Sequence, residues 1–285
     1  MLWLFLLFIH VLGLTGFNLV LRRSLLEKVD RFTLATIMQT GIAVPAILLM
    51  IAMPPRFSAY EPKYYVGFIV EVVLGIALQV TNTKALQYLE ASVYPVIYNL
   101  RILITTLLGI LFLNEDVVWS RIFGGVLIFL AIIIVRQRSS RTVRLKGVEW
   151  GLSAALIISF LNLNEKLMIN GVGLLNYWPP ASVIAALLMW AYLLTRKQRF
   201  NKSLLIDPRM IKLMSLRALS GYTFPLALAS GALLSVASYI SAMSVILMVV
   251  SGVILLGERN YLWRKIAATA VAVTGMTIVL LSHLL

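Results

Sequence analysis

The sequence contains no cysteine and only two histidines among its 285 residues. Without thiols the chain cannot form a disulfide, a thiolate metal site or a cysteine nucleophile. Two histidines far apart provide too few ligands for a zinc site. Neither a G-x-x-x-x-G-K-[ST] phosphate loop nor an H-E-x-x-H zinc motif occurs. We therefore expect no metal, no cofactor and no enzymatic activity.

Acidic residues are also scarce, with 11 Asp and Glu against 25 Lys and Arg, for a net charge of +14. Such a charge can indicate nucleic-acid binding, but here the basic residues lie in short connections between long apolar segments, a pattern that orients membrane proteins. We therefore exclude nucleic acid as a partner. The chain is 61% hydrophobic with a mean hydropathy of +0.94, which is too apolar for a soluble domain.

Ten apolar segments use almost the whole chain, and each approaches the roughly 20 residues that a membrane-spanning helix needs. Helix is the expected structure, because a segment in lipid must pair its own backbone groups. The first segment lacks a basic start, so we expect a span and not a cleavable signal peptide. The predicted spans are 2–21, 32–53, 64–86, 91–113, 119–137, 147–168, 176–195, 211–230, 234–256 and 261–283.

An internal repeat divides the chain into halves, 1–140 and 141–285. The stretch "LLGILFLNEDVVWSR" aligns with "VVSGVILLGERNYLWRK". Each half holds five spans, so the second half must cross the membrane in the opposite sense. Inverted repeats of this kind are typical of transporters, whose substrate site lies between the repeats. The matched pairs are Gly109 with Gly252, Glu115 with Glu258, and Arg121 with Arg264.

The positive charges are distributed unevenly between the two sides of this arrangement. Of the 25 lysines and arginines, 20 lie in or beside the odd-numbered connections and 4 beside the even-numbered ones, with Arg101 set apart. The positive-inside rule then places the odd-numbered loops in the cytoplasm and both termini outside. We predict a multi-pass protein of the cell (plasma or inner) membrane.

Two stretches carry a family resemblance: "ALQYLEASVYPVIYNLRILITTLLGILFLNED" in the first half and "ASYISAMSVILMVVSGVILLGER" in the second. They resemble the EamA-like branch of the drug/metabolite transporter superfamily. The resemblance implies ten helices around a central cavity, alternating access and no ATP-binding domain. It implies little about the substrate, since members are said to move amino acids, sugars, nucleotide sugars or choline. Such proteins usually keep both termini in the cytoplasm, whereas the charges here favour both outside.

The fourth span carries one full charge, Arg101, on a helical stripe with Tyr94, Tyr98 and Thr105. An ionisable side chain costs about 3 kcal/mol or more in the membrane, so it should face the bundle interior or a wet cavity. Two roles remain open for Arg101, a structural ion pair and a contact to substrate, and we favour the second. The residue of the second half that corresponds to Arg101 in the repeat is Ser244, which is small. We therefore expect Arg101 to reach into a cavity whose opposite wall is formed by small residues.

The third span offers a counter-charge. Glu71, Gly75, Gln79 and Asn82 share one helical face, and Arg101 is expected about level with residue 76, which puts Glu71 roughly 7.5 Å away along the axis. A closed Glu71–Arg101 pair would be a gate or scaffold, whereas separated groups could bind the two ends of a zwitterion. Protonation of Glu71 would couple transport to protons.

Several other side chains receive weaker predictions. His10 could relay a proton, although an interhelical hydrogen bond is the favoured role. Tyr222 and Tyr239 would extend an aromatic wall. Trp178 is expected to anchor the chain at the membrane interface, and Arg217 to snorkel toward the cytoplasm. A structural role is expected for Glu115 and Glu258, and a capping or helix-joining role for Asn162 and Asn164.

The sequence thus predicts a secondary transporter that moves a small polar, anionic or zwitterionic, amino-acid-like metabolite by alternating access. Its partners would be the substrate, the lipid bilayer and protons as coupling ion, in a monomer or homodimer. One alternative is a lipid-linked headgroup flippase, which needs a laterally open groove. Another is an organic-cation or choline carrier with a tyrosine cage and Glu71 as counter-ion. The predicted substrate-binding residues are Arg101, Tyr98, Tyr94, Glu71, Gln79, Asn82, Tyr222 and Tyr239.

Overall fold

The protein is almost entirely helical in a computed structural model that describes residues 2–26, 29–56, 61–89, 93–115, 119–135, 141–195, 202–255 and 262–284. These residues form no strand. Besides a short 3₁₀ helix, Lys202–Leu205, the helices are α1 Leu2–Leu26, α2 Arg31–Ala52, α3 Pro62–Tyr88, α4 Tyr94–Tyr98, α5 Leu100–Leu113, α6 Trp119–Val135, α7 Arg141–Val172, α8 Leu174–Thr195, α9 Pro208–Ala229, α10 Leu234–Ala242, α11 Ser244–Leu255 and α12 Leu262–Leu284.

Six described segments are long and apolar enough to cross a membrane: α1, α2, α3, α7 from Lys146, α8, and α10 together with α11. Their outer faces carry exposed Leu, Ile, Val and Phe side chains, as a lipid-facing surface requires. The chain is therefore a multi-pass membrane protein. The predicted turn at Glu90, the motif residue Glu258 and loop cations such as Arg136 and Arg196 lie outside the described residues.

Local sequence signals explain where these helices begin and end. Asp30 caps α2, because its Oδ2 accepts a hydrogen bond from the Thr33 backbone N–H at 2.8 Å. Asp207 caps α9 in the same way, and Pro208 follows at the first helical position. Between α7 and α8 the chain turns at the single residue Gly173, whose φ of +83° favours glycine.

The predicted fourth and ninth spans are each divided by a single residue. Asn99 separates α4 from α5, and Met243 separates α10 from α11; both keep right-handed helical dihedral angles. The Ile102 backbone N–H donates to the Asn99 carbonyl at 2.9 Å, and the Met243 N–H to the Ile240 carbonyl at 3.0 Å. These i→i−3 bonds are 3₁₀ turns, which tighten and bend a helix without ending the span.

The most extensive helix packing joins residues of the first half to residues of the second. The main pairs are α1 with α9, α2 with α8, α3 with α7, and α6 with α12. A buried core centred on Phe17, Leu34, Met38, Ile102 and Tyr239 runs between them. The cavity described below lies among α2, α3, α5, α7, α8 and α9.

A hydrogen-bonded turn connects α9 to α10. The Lys166 Nζ donates to the carbonyls of Leu228 at 3.2 Å and Ala232 at 3.1 Å, which closes the end of α9. The Glu115 Oε1 accepts from the Leu234 backbone N–H at 3.0 Å, at the start of α10. Both charges complement the helix dipoles that they face. This contact gives Glu115 the structural role that the sequence predicts.

Replacing Lys166 by Met should lower the free energy of unfolding by about 1–2 kcal/mol, because two carbonyls lose a charged donor. The midpoint of thermal denaturation in detergent measures the effect. Lys63→Met is the control, since Lys63 pairs with Glu61 at 2.7 Å on an exposed surface and such pairs contribute about 0–1 kcal/mol. Equal midpoints for the two variants would contradict the capping role.

Candidate functional site

The candidate site is a cavity of about 80 Å³ lined by residues of six helices. A buried water needs roughly 10–15 Å³, so the space corresponds to about five to eight waters, which is the size of a small metabolite. The wall combines charged, amide and apolar side chains. Those of α2, α3 and α5 are Gln39, Ile42, Glu71, Gly75, Leu78, Gln79 and Arg101. Those of α7, α8 and α9 are Ile158, Leu161, Asn162, Glu165, Trp178, Ala181, Ser182, Ala185, Arg217, Ser220, Gly221, Phe224 and Pro225.

Four ionisable side chains from four different helices lie on this wall. Glu71 and Glu165 supply two carboxyl groups, and Arg101 and Arg217 supply two guanidinium groups. The carboxyl groups are close enough to interact electrostatically with each other, and Arg217 acts on Glu165 in the same way. The wall thus offers two carboxyl groups and two guanidinium groups, which can contact the two ends of a ligand that carries both signs.

Arg101 is buried, with 3% of its surface exposed. Its guanidinium carbon lies 4.8 Å from the centre of the Tyr98 ring, a cation–π contact. Within the described ranges, the Nε and Nη2 atoms have no hydrogen-bond partner and no carboxylate lies within ion-pair distance. Two buried donors of a charged group are thus available to a ligand.

Glu71 bonds to a neutral partner and not to Arg101. Its Oε2 accepts a hydrogen bond from the Asn164 Nδ2 at 2.9 Å, and the same amide nitrogen donates to the Gly67 carbonyl at 3.0 Å. Asn164 therefore fixes α7 to α3, which is the helix-joining role that the sequence predicts. Both Glu71 and Arg101 lie on one cavity wall, but the closed ion pair that the sequence left open does not form among the described residues.

The structure corrects the prediction that Arg217 snorkels to the cytoplasm. α9 begins at Pro208, so Arg217 lies nine residues, or about 13.5 Å, inside the helix. It shares the cavity-facing side of α9 with Ser220 and Phe224. With the Gln79 amide oxygen turned toward it, the guanidinium donates from Nη2 at 2.9 Å and from Nε at 3.2 Å.

Trp178 is not the interfacial anchor that the sequence predicts. It is 6% exposed, packs edge-on against Tyr222 at 4.5 Å between ring centres, and lies on the cavity wall. It shares the cavity wall with Glu165. Sequence reasoning missed Glu165, although the argument made for Arg101, a lone charge inside an apolar span, applies equally to it. Asn162, one helical turn earlier, also lies on the cavity wall.

The structure does not bring all the predicted site residues to the cavity. Tyr94 is buried beside it, donates a hydrogen bond to the Asn82 Oδ1 and stacks on Tyr98. Neither Asn82 nor any of the predicted tyrosines lies on the wall. Tyr222 donates to the Ile42 carbonyl at 3.0 Å.

The remaining predictions concern residues at the helix interfaces. Tyr239 bonds with Thr106 at 3.4 Å and joins α10 to α5. The His10 Nδ1 is 2.8 Å from the Ser220 carbonyl, the interhelical bond that the sequence favoured. Ser244, which corresponds to Arg101 in the second half, is buried and does not line the cavity.

A metal centre has no support in the part of the chain that the structure describes, where no three His, Asp or Glu side chains come together. No curated protein matches the chain. Among solved structures, 28 chains match. One, titled only "Crystal structure of protein", is 16% identical, covers 98% of this chain and 98% of its own, and has a TM-score of 0.72. At that identity the match shows a shared fold and nothing about the substrate.

The family comparison concerns the half that contributes Glu71, Gln79 and Arg101 to the cavity. Residues 1–137 match the model described as "EamA-like transporter family". The resemblance seen in the first half of the sequence is thereby confirmed, and members of this family are transporters and not enzymes. The first half of the chain, residues 1–137, belongs to the EamA-like transporter family of the drug/metabolite transporter superfamily.

Proposed function

We propose that the protein is a secondary transporter for a small zwitterionic, amino-acid-like metabolite, which it moves by alternating access. The observation that carries this proposal is Arg101, a buried cation whose Nε and Nη2 lack partners among the described residues while it shares a cavity wall with two carboxyl groups. A buried charge without a counter-ion is costly in a membrane protein, and a ligand carboxylate would supply one.

The cavity offers complementary contacts for both ends of such a ligand. The planar guanidinium of Arg101 matches a carboxylate in a two-point hydrogen bond, and Arg217 adds a second positive charge. An ammonium group would lie between the carboxyl groups of Glu71 and Glu165. The hydrogen bond from Asn164 to Glu71 holds the first of these acceptors in place, and Trp178 shares the cavity wall with the second.

The proposed architecture is two inverted five-helix halves, 1–140 and 141–285. The packing pairs support it: under the repeat, α3 corresponds to α9 and α7 to α1, so the α3–α7 and α1–α9 contacts are equivalent. The bends at Asn99 and Met243 also fall at nearly corresponding positions. The charge distribution supports cytoplasmic odd-numbered loops and external termini.

Protons are the proposed coupling ion, with Glu71 as their carrier. Glu71 lies on the cavity wall, whereas His10 lies off it with its ring bonded to the Ser220 carbonyl. In proteoliposomes, Glu71→Gln should remove the response of uptake to an imposed pH gradient, because an amide cannot release a proton. His10→Gln should keep that response. A gradient response that survives in Glu71→Gln and disappears in His10→Gln would reverse the assignment.

A ligand screen on purified wild-type protein tests the function. Zwitterionic amino acids are compared with amines and carboxylic acids of matched size, because a ligand that binds the folded state raises the denaturation midpoint. We expect stabilisation by at least one zwitterion and weaker stabilisation by its amine and acid counterparts. Stabilisation by amines alone would favour the organic-cation alternative, although two guanidinium groups on the wall disfavour it.

One observation favours the flippase alternative. Grooves of about 540 and 380 Å³ lie between α3 and α7, and both include Val70, Asn164 and Leu167. Asn164 separates these grooves from the cavity, because its amide bonds to Glu71. A lipid-linked headgroup could enter there if α3 and α7 parted. Movement of a labelled lipid between the leaflets of reconstituted vesicles, abolished by Arg101→Gln, would support this function over the transport of a water-soluble substrate.

A further inference from the structure

Gly75 is partly buried and leaves open space between the buried residues Glu71 and Gln79 on one face of α3. It lies on the cavity wall one helical turn from Glu71 and one turn from Gln79. A Cβ atom added at Gly75 would meet no other atom within 4 Å. By contrast, a Cβ at Gly41 would come within 2.6 Å of the Met214 backbone. Close helix packing therefore explains Gly41 but not Gly75.

Glycine is also a poor choice for this position on helix propensity. In a helix interior it is about 1 kcal/mol less favourable than alanine, and no positive φ is found at Gly75. Neither backbone conformation nor helix contact requires it. The effect of glycine here is to keep the cavity open between the carboxyl group of Glu71 and the amide of Gln79.

Apolar side chains, some of them small, line the same cavity as Gly75. Ala181 and Ala185, on successive turns of α8, line the cavity, as do Leu78 and Ile158. We propose that Gly75 is the floor of a subsite that receives an uncharged, aliphatic or aromatic substituent of the substrate, and that its missing side chain sets the largest substituent accepted. The inference rests on the proposed function, because it assumes a ligand whose charged groups are held by the arginine and glutamate side chains.

The expected dependence on substituent size follows from the hydrophobic effect. Burying one methylene contributes about 0.8 kcal/mol, which corresponds to an affinity change of roughly fourfold. Affinity should therefore rise along glycine, L-alanine and L-leucine in the wild-type protein. In Gly75→Val three carbon atoms enter a cavity of about 80 Å³, so the largest ligand is excluded first.

The experiment measures dissociation constants of glycine, L-alanine and L-leucine for wild type, Gly75→Ala and Gly75→Val in detergent. We expect Gly75→Val to weaken L-leucine binding at least tenfold and glycine binding less than twofold, with Gly75→Ala in between. Val73→Leu is the matched control, because Val73 lies on the lipid-exposed side of the same helix, and it should change none of the three constants. Elution as a single folded species in size-exclusion chromatography confirms that each variant is intact.

The possible failures are distinguishable. Equal weakening of all three ligands by Gly75→Val, or no weakening, overturns the subsite while leaving the proposed function in place. If none of the three binds wild type and no other amino acid in the screen does, the proposed function fails and the subsite with it. If Gly75→Val does not fold, Gly75→Ala serves as the test, because the Cβ atom that it adds meets no neighbouring atom. The subsite then requires Gly75→Ala to weaken the binding of L-leucine more than the binding of glycine.

Discussion

Arg101→Gln should bind zwitterionic ligands at least about 30-fold more weakly than wild type and lose uptake to a similar extent, while remaining folded. Removing one partner of a buried, hydrogen-bonded charge pair costs about 2–5 kcal/mol, and each 1.4 kcal/mol is a factor of ten. The fold should survive because the Nε and Nη2 atoms of the guanidinium have no hydrogen-bond partner among the described residues, so the variant leaves no protein group there without its bond. Binding is measured by calorimetry and uptake in proteoliposomes.

Two further variants separate a ligand contact from a structural role. Arg101→Lys keeps the charge but loses the planar fork, so it should recover only part of the affinity. Glu71→Gln combined with Arg101→Gln should restore nothing, because Glu71 is bonded to Asn164. A single Arg101→Gln variant that aggregates, and is rescued by Glu71→Gln, would contradict a ligand contact and indicate an ion pair. Unchanged uptake by the Arg101→Gln variant would contradict any role of Arg101 in substrate binding.

Glu165→Gln should abolish the preference for a zwitterion over the carboxylic acid of the same size. In wild type the ammonium group gains a charge-assisted contact, worth about 1.5–3 kcal/mol, or a preference of roughly 10- to 150-fold. The neutral amide retains the shape of the side chain but removes the charge. The ratio of the two dissociation constants is the measurement, and it should approach one in the variant.

Glu149→Gln is the matched control for this prediction. Glu149 belongs to the same helix, α7, but its side chain is exposed, so the same loss of charge there should leave the ratio unchanged. A ratio that falls equally in both variants would reflect the net charge of the protein and not a contact in the cavity. A wild-type ratio near one would contradict a zwitterionic substrate.

Hydropathy and helical periodicity predicted much of the fold and part of the site. The stripe of Tyr94, Tyr98 and Arg101 is buried as its spacing indicated, and Glu71 and Gln79 reach the same cavity as Arg101. These predictions held because a charge inside an apolar span has few acceptable positions. The helix bends were not predictable, since the dihedral angles at Asn99 and Met243 remain those of a helix.

The remaining features of the site depend on how helices are rotated against one another, which one sequence does not encode locally. Periodicity put Tyr94 and Tyr98 on the face of Arg101, but both rings pack beside the cavity and not on its wall. Arg217 and Trp178 were assigned to the membrane interface from their positions near predicted span ends. The structure starts α9 at Pro208 and turns Trp178 inward, so both contribute to the cavity.

An experimental structure with the most stabilising amino acid bound tests the central claim most directly. The account predicts the ligand carboxylate within about 2.7–3.2 Å of the Nε and Nη2 atoms of Arg101, with its ammonium group facing Glu165. A guanidinium of Arg101 that bonds to Glu71 while the ligand lies elsewhere would contradict it.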